Sequence, residues 1–138
     1  MSQIEKVLYT AKTHTTGGRD GASRTSDGRL DVKLSTPGTS GTGTNPEQLF
    51  AAAWSACFES AIALAARKRK TVLPAGIAID AEVDLNVGDD GQFLSVRLDI
   101  SLPGIDRTTA QSLINEAHEI CPYSKATRSN IDVAISLV

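Results

Sequence analysis

Cys57 and Cys121 stand in opposite electrostatic settings. Cys57 lies inside the run Leu49 to Ala66, where Glu59 is the only charge, whereas Cys121 stands at a helix-stopping Cys-Pro. A two-thiol redox catalyst needs that asymmetry. One thiolate attacks an oxidant and becomes a sulfenic acid, and a second thiol then closes a disulfide, so one cysteine must be activated and the other merely reachable.

A thiol buried in an apolar helix has its pKa raised by desolvation, so Cys57 is inert unless a cation or directed hydrogen bonds stabilise its thiolate. Arg19 is the best source of that charge. Its flanking glycines let the backbone approach closely, and a guanidinium stays charged even when buried. Glu47, in the first turn of the coming helix, can orient Arg19 through a bidentate pair. Spacing sets a condition on this constellation of Cys57, Arg19 and Glu47. Ten residues separate Glu47 from Cys57, about 15 Å along an ideal helix, too far for one arginine to touch both. Either the helix is interrupted or two chains build the site. Cys121 differs, because the negative end of the preceding helix disfavours a thiolate, and Pro122 ends that helix and leaves the side chain on a mobile corner. This suits a resolving thiol.

Each residue also has a plainer reading. A cysteine on an apolar helix serves as a small core residue, Arg19 as a solvated turn residue, and Glu47 as a partner for the helix dipole. Trp54 and Phe58, at i and i+4, are core or the walls of an apolar substrate pocket beside Cys57. The run Arg67 to Lys70 complements the negative end of its helix. His118 and Cys121 share a helical turn, but a closed zinc site would need both histidines and both cysteines of the chain, so no metal is expected.

These residues need elements to hold them. Val7 to Thr15 reads as a strand ending at the Gly17-Gly18-Arg19-Asp20-Gly21 loop. Asp27-Gly28 marks a turn, and Leu30, Val32 and Leu34 alternate with polar residues, which predicts a hairpin. Ser35 to Thr44 is a loop before Asn45, which reads as an N-cap with Pro46 in first position and Gln48 completing a capping box. The helix that follows is apolar nearly all round and belongs in the centre of a core. Ile77 to Val87 and Leu94 to Leu102 alternate as a second, longer hairpin around Gly88-Asp89-Asp90-Gly91. Asp106 can cap a helix that turns Ala110, Leu113, Ile114, Ala117 and Ile120 inward, and Ile131 to Val138 returns as a last strand. The expected class is α+β, antiparallel sheets around a central apolar helix, with two main helices.

Composition bounds the rest. A chain of 138 residues that is 41% hydrophobic can bury a core as one domain, 1–138. Fourteen basic against 16 acidic residues leave a charge of −2, too balanced to suggest nucleic acid or an anionic membrane as the main partner. The N-terminus carries no apolar signal core and no segment approaches a membrane span, so a cytosolic location is expected, where thiols stay reduced.

Three blocks, Thr16-Gly-Gly-Arg-Asp-Gly21, Asn45-Pro-Glu-Gln-Leu-Phe-Ala-Ala-Ala-Trp-Ser-Ala-Cys-Phe58 and His118-Glu-Ile-Cys-Pro-Tyr-Ser-Lys-Ala-Thr-Arg-Ser-Asn130, span the chain. In that order they resemble the organic hydroperoxide resistance (Ohr) branch of the Ohr/OsmC family. The resemblance implies a thiol peroxidase that reduces organic hydroperoxides, fatty-acid hydroperoxides included, to alcohols. In it Cys57 is the peroxidatic thiol, Cys121 the resolving one, and Arg19 with Glu47 the activating ion pair. It implies a Cys57-Cys121 disulfide reopened by dihydrolipoamide or a lipoylated protein, with no bound cofactor. It also implies an intertwined homodimer with its sites between the chains. Ala53-Trp54 departs from the Gly-Tyr of typical members, a change that would reshape the substrate pocket. The alternatives are an OsmC-type peroxidase of broader peroxide use, and a non-catalytic oxidant sensor or binder of apolar ligands.

Overall fold

Asp27 sets the hairpin predicted at Asp27-Gly28. Its Oδ1 accepts from the Arg29 N–H at 3.0 Å and from the Thr25 hydroxyl at 2.7 Å, an Asx-type turn closed by left-handed Gly28. The structure, a computed structural model, describes residues 3–138, which gather into two compact units divided after Pro46.

In the first unit, β1 (Thr13–Thr16), β2 (Ala22–Thr25) and β3 (Asp31–Lys33) form an antiparallel sheet in the order β1-β2-β3. The first strand is shorter than its sequence suggests. Residues 7–12 lie outside any strand, with Val7, Leu8 and Tyr9 exposed, because β-branched and aromatic content favours a strand only where a partner supplies the ladder. A 3-10 turn, Gly18–Asp20, joins β1 to β2.

The second unit is built on α1 (Pro46–Lys68), which starts directly after Asn45, as the Asn-Pro pair predicts. Trp54, Phe58, Ala61, Ile62, Ala65 and Ala66 recur at helical spacing and are buried. The opposite side, Ala52, Ala56, Ser60 and Leu64, is exposed in the chain. This helix departs from the expectation that no segment approaches the length of a membrane span. By length and composition alone, α1 is long and apolar enough to cross a bilayer, although its Trp54 face is spent on the core.

β4 (Ala78–Gly88) and β5 (Gly91–Ser101) pair antiparallel from Ala78↔Ser101 to Gly88↔Gly91. α2 (Arg107–Ile120) follows, capped by Asp106, whose carboxylate accepts from the Thr109 N–H at 3.0 Å. A third helix not foreseen, α3 (Pro122–Thr127), leads to β6 (Asp132–Leu137). β6 runs parallel to β5, so the sheet β4-β5-β6 is mixed rather than antiparallel throughout. Local alternation carries no record of strand direction. The long crossover through α2 and α3 permits a parallel return.

The inner face of this sheet brings Val96, Leu98 and Ile100 against Trp54, Phe58 and Ile62 of α1 and Ala110, Ile114 and Ala117 of α2. Burying each large aliphatic side chain contributes about 1.5–3 kcal/mol, so this layer holds both cysteine-bearing segments in place. The outer face is polar, with Arg97 bridging Asp84 at 2.7 Å and Glu82 at 3.3 Å.

Candidate active site

Cys57 sits one turn beyond Trp54 and two beyond Phe50, on the helix flank that packs against the core. Cys121 stands between two helices. Its N–H makes the last bond of α2, to the Ala117 carbonyl at 2.8 Å, and its carbonyl accepts from the Lys125 N–H of α3 at 3.0 Å. The Sγ atoms of the two free cysteines are 3.6 Å apart, in thiol–thiol contact.

This corrects one expectation. Cys121 is not on a mobile corner but fully buried, and Pro122 does not merely end α2. Proline lacks only an N–H that the first turn of a helix leaves unpaired, so Pro122 opens α3 as readily as it closes α2.

Burial, chiefly, pushes the Cys57 thiol above its ordinary range, and the bond to Cys121 adds to this. The backbone N–H of Tyr123, in the first turn of α3, acts in the opposite sense by donating to the Cys57 sulfur. A thiolate at Cys57 therefore needs further positive potential.

Arg19 is half-buried in its 3-10 turn. Gly17 and Gly18 have φ values of 75° and 57°, and a Cβ on Gly21 would lie 1.8 Å from the Thr16 carbonyl oxygen, so this tight turn admits only glycine there. Asp20 fixes the turn further, its Oδ1 accepting from the Thr36 N–H at 3.0 Å and hydroxyl at 2.8 Å. The hydroxyl bond, then the amide bond, hold the Asp20 carboxyl below the usual carboxylate range. Glu47 is half-buried in the first turn of α1. That helix is unbroken from Pro46 to Lys68, so an interrupted helix does not bring Glu47 to Cys57.

Trp54 and Phe58 are fully buried within the core cluster. Trp54 Nε1 donates to Ser124 Oγ at 3.3 Å, and Phe58 lies 6.4 Å from the His118 ring. Two aromatic residues the sequence reading passed over stand nearer the surface. Phe50 makes edge contacts with Trp54 at 5.8 Å and with Tyr123 at 6.3 Å, and Tyr123 is 38% exposed. Phe50 could have been found from its i, i+4, i+7 spacing to Trp54 and Cys57. Tyr123 and Ser124 follow a proline that reads equally well as a helix start.

A helix-borne thiol thus faces a second thiol at a helix junction, beside partly exposed aromatic rings, in an α+β fold. Residues 38–136 match the model of the OsmC-like protein family. The chain is 48% identical over 141 residues to the organic hydroperoxide resistance protein of Xanthomonas axonopodis pv. citri (strain 306), covering 99% of each sequence. The crystal structure of an organic hydroperoxide resistance protein OsmC from Legionella pneumophila is similar at 43% identity and a TM-score of 0.90, with 96% of this chain and 98% of that one covered. For the organic hydroperoxide resistance protein OhrB of Bacillus subtilis the values are 41% and 0.86, over 96% and 100% of the two chains. The chain belongs to the OsmC-like family, in its organic hydroperoxide resistance branch.

Proposed function

We propose that this chain is a thiol peroxidase that reduces organic hydroperoxides, fatty-acid hydroperoxides among them, to the corresponding alcohols. The observation that carries the reading is the 3.6 Å contact between Cys57 and Cys121, in a chain 48% identical to a protein named for organic hydroperoxide resistance. The Cys57 thiolate attacks the terminal peroxide oxygen. An S–O bond forms, the O–O bond breaks, and the alkoxide leaves as alcohol with a proton. Cys121 then attacks the sulfenic sulfur, forming the disulfide and releasing water. A dithiol returns the two electrons by exchange, and a dihydrolipoyl group, free or protein-bound, is the reductant in this reading.

Arg19, oriented by Glu47, supplies the positive potential that burial makes necessary at Cys57. The functional unit is a homodimer, acting in the cytosol, in which both chains contribute to each site. Support for assembly comes from the exposed Ala52, Ala56, Ser60 and Leu64 side of α1 and from its unbroken length. The partly exposed Phe50 and Tyr123 rings favour an apolar peroxide over hydrogen peroxide.

Steady-state consumption of cumene hydroperoxide with dihydrolipoamide tests the whole reading. Many turnovers per chain are expected. A single turnover would indicate an oxidant sensor, and no turnover a binder of apolar ligands.

A further inference from the structure

We propose that Ser124, held by Trp54, is a positioning residue that fixes the reach of Cys121 towards Cys57, an inference that rests on the two-thiol reading above. Both partners are fully buried, and the indole N–H donates to the serine hydroxyl at 3.3 Å across 70 positions of chain. Trp54 precedes Cys57 by one turn of α1, and Ser124 follows Cys121 at the start of α3. Two contacts, one between sulfurs and one polar, thus tie the same two segments together side by side.

The polar tie acts on Cys121 through the backbone. The Cys121 carbonyl accepts the Lys125 N–H, and Ser124 accepts the Arg128 N–H at 2.9 Å, so the cysteine and α3 form one hydrogen-bonded body. Phe50 presses edge-on against both Trp54 and Tyr123, closing the same seam from its outer side. Trp can only donate from its indole nitrogen, and the hydroxyl of Ser124 is the acceptor it finds, so the bond has one fixed sense.

Disulfide closure demands this control. The Cys121 sulfur must approach the Cys57 sulfenic sulfur in line with the S–O bond that breaks, while the hydroxyl departs as water with the Cys121 proton. A looser α3 would leave the sulfenic acid formed but unresolved.

Trp54→Phe keeps a ring and removes the donor, Ser124→Ala removes the acceptor, and the double variant removes both. Each single change strands one buried polar partner and lowers stability, whereas losing both restores part of it. Closure is followed after one equivalent of cumene hydroperoxide, as the decay of dimedone-trappable sulfenic acid and the rise of disulfide. The expected result is closure slowed about ten- to a hundredfold in all three variants, with the denaturation midpoint partly recovered in the double variant. A merely structural pair would let the closure rate recover along with stability, so wild-type closure in the double variant overturns the proposal. Should Trp54→Phe fail to fold, Ser124→Ala and the double variant carry the same test. A wild-type chain that forms no disulfide overturns the two-thiol reading itself, and this inference with it.

Discussion

The sulfurs of Cys57 and Cys121, 64 positions apart in sequence, lie in contact at 3.6 Å while both remain thiols. The pair is therefore poised rather than locked. Closing it takes a movement of about 1.5 Å, since a disulfide bond is about 2 Å long.

Cys57→Ser is expected to abolish peroxide consumption, while Cys121→Ser consumes about one equivalent and stalls as a sulfenic acid. A dimedone adduct on Cys57 of the second variant, seen by mass spectrometry, is the readout. Full multiple turnover by Cys57→Ser would sink the assignment of roles.

Burial and the contact with Cys121 both act against the Cys57 thiolate. Cys121→Ala removes the second of these, so the Cys57 thiol should titrate at lower pH than in the wild type. The pH profile of alkylation by iodoacetamide would show its midpoint moved down. An upward shift would mean that Cys121 stabilises the thiolate, and an absent one that it does not act on the thiol.

If Arg19 supplies the positive potential at Cys57, Arg19→Ala should raise the thiol pKa and slow peroxide reduction. Glu47→Ala should do the same to a lesser degree, by leaving Arg19 without its orienting carboxylate. Unchanged alkylation profile and peroxide rate in Arg19→Ala would remove Arg19 from the mechanism.

His118 gives a pH signature of its own. Burial first, then the nearby Arg128, hold its pKa below the ordinary 6.5, with Glu119 opposing. The folded chain thus resists a proton that the unfolded chain accepts. Stability should be full above the ordinary value and fall as the pH drops through it towards the folded-state value. His118→Gln should flatten that decline in urea midpoints measured from about pH 7.5 to about pH 5. An identical decline in the variant would assign it to other groups.

Assembly can be tested by sedimentation. The exposed Ala52, Ala56, Ser60 and Leu64 side of α1 is expected to be covered in a permanent homodimer, with dissociation and unfolding coinciding. A folded, fully active monomer at low concentration would exclude it.

What the sequence made legible was local. Asp106 before Thr109, Asp27 with Gly28, and the alternation from Ile77 to Leu102 each place their determinants within a few residues, and each recurs in the structure. The direction of β6 was not legible, because Val133 and Ile135 alternate identically in parallel and antiparallel pairing. The strand expected over Val7 to Thr15 exceeds the observed one for a related reason, since propensity does not disclose a partner. At the site, the two cysteines were legible by their settings, but the burial of Cys121 was not. Pro122 carries the same steric message at the end of one helix and the start of the next, and only the fold selects both. Ser124 was invisible for a comparable reason, since its partner Trp54 lies 70 positions away.

The parallel pairing of β6 with β5 has a consequence for synthesis. Cys121 lies in the crossover between these two strands, and β6 is made after the whole crossover. A nascent chain can form α1 and the β4–β5 hairpin, with Cys57 in place, before the strand that anchors the far end of the crossover has left the ribosome. On the two-thiol reading, a Cys57 oxidised during that interval would have no fixed partner at Cys121 and would be open to further oxidation to the irreversible sulfinic acid. If the two-thiol reading holds, late completion of the sheet would leave the newborn chain more vulnerable to oxidant than the finished protein.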